Sequence, residues 1–193
     1  MPEQVADLLV AEFASVKAWD TWLAKHHASS PGLWLKIAKK GSGVVTVTMP
    51  EVVETALCWG WIDGLRHRHD DVYFRQRLTP RRPKSRWSRI NRDKAEALIA
   101  AGRMRVSGLA QIDAAKADGR WDAAYSGSRT ITVPEDLTYA LGRSAKARRA
   151  FERLDSGNRY AILYRIHDAK RADTRARRVE QFVTMLAEGR TIY

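Results

Sequence analysis

The sequence predicts an α+β protein: a small antiparallel or mixed sheet with helices in the N-terminal half, and a helical C-terminal half. Two patterns carry that prediction. Alternating apolar residues, the mark of half-buried strands, lie before residue 80. Apolar stripes at three- and four-residue spacing dominate after it. Such segregation argues against a regular βαβ alternation. With 193 residues, 45% of them hydrophobic, the chain can bury a sizeable core and does not read as disordered. The expected division is an α+β lobe over 1–102, holding a β-hairpin and a basic loop, and a helical lobe over 103–193. The two are expected to pack as one unit.

The elements follow in order. Ser15 is an N-cap, and Val16, Trp19, Trp22 and Leu23 recur at helical spacing through about His27. Ser29, Ser30, Pro31 and Gly32 end that helix. Residues 33–38 read as a strand, with Leu33, Leu35 and Ile37 on one face and Trp34 on the other. Thr48 caps a second helix: Glu51 stands at capping-box spacing and Pro50 lies in the tolerated first turn. Val52, Val53, Ala56 and Leu57 give it a buried side, and Gly60 stops it. Residues 61–69 and 72–78 then form a hairpin around Asp70 and Asp71. Strand alternation puts Trp61, Asp63, Leu65, His67 and His69 on one face.

Pro80 and Pro83 keep the following loop irregular to about Ser88. A helix with Ala95, Leu98 and Ile99 ends at Gly102, and another with Leu109, Ile112 and Ala115 ends at Gly119. Pro134, Glu135 and Asp136 start a third helix of this half, where proline suits the first turn and acids suit the dipole. Ser144 caps the next, and residues 155–158 read as a break. Val179, Phe182, Val183 and Leu186 mark the last helix, closed by Gly189.

Charge narrows the function classes. Lys plus Arg is 34 against 22 for Asp plus Glu, a net charge of +12, which favours an anionic partner. One cysteine excludes a disulfide framework within the chain and a cysteine-rich zinc site. No run approaches the roughly 18 apolar residues of a membrane helix, so no membrane insertion is expected. The opening MPEQVADLLVAEFASV has no basic segment before its apolar residues, and a cytoplasmic location is expected.

The strongest functional signal is the basic stretch over 75–92. Eight basic residues (Arg75, Arg77, Arg81, Arg82, Lys84, Arg86, Arg89, Arg92) run without an acid between them. Guanidinium forks match phosphate or carboxylate oxygens in pairs, and indoles stack on planar rings. The expected site is a groove between the hairpin and the 79–91 loop. Arg77, Arg81, Arg82 and Lys84 supply the charge there, and Trp61 and Trp87 the stacking. Ser85 and Asn91 lie near a helix start that offers free N–H groups. The ligand would be a small anion or a nucleic acid, with no cofactor and no metal. The competing reading is a solvated loop paired with acids such as Asp70, Asp71 or Asp93. Cys58, between Leu57 and Trp59, reads as a buried filler rather than a nucleophile.

The alternative class is a small enzyme on an acidic substrate, with Asp63 and His67 as acid and base on one strand face. Asp63-Gly64 equally fits a bulge or turn. A third option is a module whose C-terminal helices dock a protein partner.

The segments ALCWGWIDG, LTPRRPKSRWSRIN, AGRM with the following SGL, DGRWDAAY and NRYAILYRIHDAKRADTRARRVEQFVTML resemble the YdeI/OmpD-associated, or bacteriocin-protection, family. Trp59 stands where such proteins more often carry phenylalanine. The resemblance implies a role in stress and bacteriocin resistance and association with an outer-membrane porin. It supplies no reaction, cofactor or catalytic residue, so the site residues above rest on their chemistry alone.

Overall fold

The computed structural model describes residues 4–5 and 8–193, and divides into two compact units, Met1–Ala124 and Tyr125–Tyr193. The first holds β1 (Gln4–Val5), β2 (Leu8–Glu12), α1 (Val16–His26), β3 (Leu33–Ala38), α2 (Met49–Cys58), β4 (Trp61–Arg68), β5 (Tyr73–Pro80), α3 (Arg89–Ala100) and α4 (Val106–Ala117). The second holds α5 (Glu135–Gly142), α6 (Ala145–Glu152), α7 (Ser156–His167) and α8 (Ala172–Ala187). The α+β class and its mixed sheet stand as expected. The first unit ends only after α4, because Ile112, Ala115 and Trp121 bury with α2 and α3.

The strands order as β1-β2-β3-β5-β4. β2 and β3 are parallel, joined through α1, and every other pair is antiparallel. The N-terminal strands were not anticipated. LLVAE is short and does not alternate, and its strand character comes from pairing Leu9 to Glu12 against Leu33 to Lys36.

Local capping works as the residues require. The Ser15 hydroxyl accepts from Ala18 N at 3.3 Å, and the Glu51 carboxylate accepts from Thr48 N and Oγ1 at 2.8 Å each. Asp155 is a start rather than a break: its carboxylate accepts from Asn158 N at 2.8 Å and opens α7.

α2 lies in the middle of the first unit. Val52 and Ala56 face the sheet with Trp19 and Leu23 of α1, while Leu57 and Cys58 face Ala95, Leu98, Ile112 and Trp87. Glycine lets the layers close. A Cβ on Gly108 would stand 2.3 Å from the Cys58 carbonyl, and one on Gly60, at φ +75°, 2.9 Å from the Ser107 carbonyl. Three indole donors tie the elements: Trp19 to Val52 O at 3.3 Å, Trp61 to His27 O at 3.1 Å, and Trp59 to Asp20 Oδ1 at 2.7 Å. The core of the second unit is Leu137, Leu141, Phe151, Ile162, Ile166, Phe182 and Leu186.

The hairpin contains the decisive irregularity. Asp63 pairs with Leu78, but Arg66 pairs with Gln76, so β4 carries one extra residue. The Gln76 side chain, 2% exposed, fills the bulge: its Nε2 donates to Gly64 O at 2.8 Å and Leu65 O at 3.1 Å. Its Oε1 accepts from Arg66 Nε at 3.3 Å.

Two predictions follow from this architecture. Gln76→Leu keeps the volume but removes the hydrogen bonds that the side chain makes across the bulge, and should cost about 1–3 kcal/mol. Urea unfolding checks the cost, and amide exchange should accelerate most over residues 61–80. The Asp136 carboxylate accepts from Arg175 Nε at 2.6 Å and Nη2 at 3.0 Å, and this contact holds its pKa below the ordinary 3.8. The stabilisation is therefore present above pH 3.8 and lost as pH falls through the lowered value. Asp136→Asn should lower the melting temperature near neutral pH and converge on the wild type under acid.

Candidate functional site

In a sheet, residues opposite one another share a face, and neighbours along a strand alternate. β5 runs without interruption against β3: Leu33, Leu35 and Ile37 oppose Leu78, Gln76 and Phe74. These side chains, with Trp61, face α1 and α2. The other face receives Trp34, Lys36, Arg75 and Arg77 by the same register, and Leu8 and Val10 bury beside Trp34 as a separate apolar island.

This second face is a basic surface built on aromatic rings. The His67 ring lies over Trp34 at 5.0 Å, tilted by 33°. The Arg75 guanidinium stands 5.3 Å from the Trp34 ring centre, and Arg77 opposes Trp34 directly. Lys36 Nζ sits 4.2 Å from the Tyr73 ring and 3.4 Å from Glu12. Tyr73 donates its hydroxyl to Glu12 at 3.3 Å; burial first, then that carboxylate, push the phenol pKa up. Trp34 is 4% exposed, so His67, which is exposed, presents the accessible ring. The Nε atoms of Arg75 and Arg77 are buried with no hydrogen-bond partner. Sequence reasoning counted Arg75 and Arg77 as basic and put Trp34 on the outer strand face. Lys36 was not among the expected residues. The signal was the alternation LWLKIA, which sends Trp34 and Lys36 to one side.

The residues expected to form a groove do not converge. Trp61 is 1% exposed, packed edge-on against Trp19 and Trp22. Trp87 is 2% exposed in a different cluster, edge-on against Trp121 at 4.8 Å. Neither indole has a free face for a ligand, so the stacking assigned to them is corrected: burial in the core outweighs display. Arg81 is 6% exposed, its guanidinium 3.5 Å from the Trp87 ring centre, and it donates to Arg86 O at 3.3 Å. It holds the loop. Arg82 and Lys84 are exposed, and the Ser85 hydroxyl accepts from Arg82 N at 3.0 Å. Asn91 N is taken by the Ser88 hydroxyl, the N-cap of α3, at 3.1 Å. Of the expected set, Arg77 alone lies on the aromatic sheet face.

The acid–base pair is corrected as well. The bulge leaves Asp63 opposite Leu78 and His67 opposite Arg75, three residues apart on an unbroken strand. Asp63 and His67 therefore project from opposite faces. Cys58 is buried, and burial raises its thiol pKa. Among the described residues no cluster of three His, Cys, Asp or Glu could hold a metal, and no helix is long and apolar enough to cross a membrane. In the second unit a groove of about 630 Å³ runs between α5 and α8, with Tyr139, Ala140, Ala176, Val179 and Val183 in its wall.

A sheet with one face in the core and the other basic and aromatic, followed by a unit of four helices, makes this an α+β protein. The chain belongs to the family described as domain of unknown function DUF8412, whose model matches residues 11–111. Residues 130–189 match the family described as Bacteriocin-protection, YdeI or OmpD-Associated, which bears out the resemblance of the motifs over this C-terminal part. No curated protein and no solved structure matches the chain.

The placement of Trp87 gives a direct test. Trp87→Ala should cost about 3–5 kcal/mol in urea unfolding, the loss expected of a buried indole. A ligand-contacting indole at the surface would instead be removable at little cost in stability.

Proposed function

We propose that the protein is a binding protein rather than an enzyme, and that its ligand is a single-stranded nucleic acid lying across the basic, aromatic face of the sheet. The observation that carries this reading is the grouping of Lys36, Arg75 and Arg77 around the Trp34–His67 ring pair. Alternate residues of one strand face stand roughly 7 Å apart, so Arg75 and Arg77 offer their forks in a row rather than to one point. A row of cations suits a repeating anion. His67 supplies a ring on which a base can stack, backed by an indole that holds it in place.

The net charge of +12 supports the same partner, since it raises the local concentration of any polyanion. Arg82 and Lys84 extend the positive field beyond the end of β5. The separation of Asp63 from His67 by the bulge supports binding over acid–base chemistry.

Fluorescence anisotropy with a labelled oligothymidine tests the reading. Affinity should fall with salt, log K declining by about 0.7 per log unit of salt for each phosphate neutralised. Arg75→Gln and Arg77→Gln should each flatten that slope by roughly 0.7–1. His67→Ala should cost about 1–3 kcal/mol of binding through lost stacking. An affinity that stays level between about 50 and 300 mM salt rejects the proposal.

A further inference from the structure

A cavity of about 460 Å³ opens in the first unit between α1, α2 and the turn that joins α3 to α4. Its wall includes Lys17 and Asp20 of α1, Thr55 and Cys58 of α2, and Arg103 and Arg105 of the turn. Three cations thus face one carboxylate. That carboxylate is already engaged: Asp20 Oδ1 accepts the Trp59 indole at 2.7 Å, and Oδ2 stands 3.4 Å from Arg105 Nη2. Arg103 spends Nη1 on Glu54 at 3.3 Å. A guanidinium carries five N–H donors, so both arginines keep donors for a guest.

The frame behind these side chains is firm. Arg103 N donates to Leu98 O at 3.0 Å and Arg105 N to Cys58 O at 3.1 Å, with Gly102 at φ +65° making the turn. The arginines are therefore rooted on the ends of α3 and α2. In the wall, the Thr55 hydroxyl is buried with no hydrogen-bond partner, a state that folded proteins rarely leave without a purpose.

We propose that this cavity is a second site, independent of the sheet face, for a small multivalent oxyanion: a polycarboxylate or a phosphate compound. Paired guanidinium forks recognise both chemistries through two parallel N–H···O bonds. The volume falls within the roughly 300–1,000 Å³ of small-molecule sites. It admits a guest of citrate size and is too small for a nucleic-acid strand.

Cys58 is the single cysteine of the chain, so a thiol reagent reports on this cavity alone. The full-length protein would be treated with Ellman's reagent in citrate, in pyrophosphate, and in sodium chloride of matched ionic strength. At an oxyanion concentration about ten times its Kd, labelling should slow roughly tenfold relative to chloride. The arm that protects more strongly distinguishes a carboxylate from a phosphate guest. The double variant Arg103→Gln/Arg105→Gln should lose the protection while its oligonucleotide affinity stays unchanged, which separates this site from the sheet face. Backbone amide shifts at Thr55, Cys58, Arg103 and Arg105 under the same titrations give a second reading should the buried thiol label too slowly to time. Saturable shifts there support the site. Labelling rates equal to those in chloride with no saturable shift overturn the proposal, as does protection that survives in the double variant.

Discussion

Gln76 sits inside β5 with its amide turned toward the neighbouring strand, and the chain there accommodates one residue more than regular pairing allows. The amide gives two hydrogen bonds to the bulged carbonyls and receives one from Arg66. Gln76 is buried, so without these carbonyls its own amide would carry a desolvation cost that packing contacts do not offset. With these bonds, the extra residue is tolerated and the alternation of β4 changes phase. Every β4 side chain beyond Gly64 owes its face to that single event. His67 reaches Trp34 because of it, and Asp63 remains with the helices.

Tryptophan and arginine divide the remaining work. The core of the first unit is rich in indoles: the N–H groups of Trp19, Trp59 and Trp61 find carbonyl or carboxylate partners across elements, while those of Trp34 and Trp87 are buried with no hydrogen-bond partner. Several cations are held against rings: Arg81 on Trp87, Arg75 on Trp34, Arg105 on Trp59, Lys36 on Tyr73. Such contacts contribute from about 0.5 kcal/mol at exposed sites to 2 or more when desolvated. A basic stretch in the sequence is thus not one surface. Arg81 is structural, Arg75 and Arg77 line the sheet, and Arg82 and Lys84 meet solvent.

What could be read in advance was local. Ser15, Thr48 with Glu51, and Ser144 act within one helical turn, so their side chains identify helix starts from spacing alone. The stripe of Val179, Phe182 and Leu186 needs only helical periodicity. Asp155 escaped because the same residue types serve turns and N-caps, and only the continuation of the backbone separates the two. β2 escaped because a five-residue strand without alternation is defined by its partner, here β3.

The residue order by itself determined the α+β class, the position of most elements, the positive charge, and the isolation of one thiol in an apolar setting. These depend on composition and on interactions within a few residues. The tertiary structure decided which planar and charged groups meet. Trp61 and Trp87 went to separate cores, since fully burying an indole outweighs leaving it on display. The partnership of Trp34, His67 and Arg75 joins three strands, and strand register, not sequence spacing, brings those side chains together.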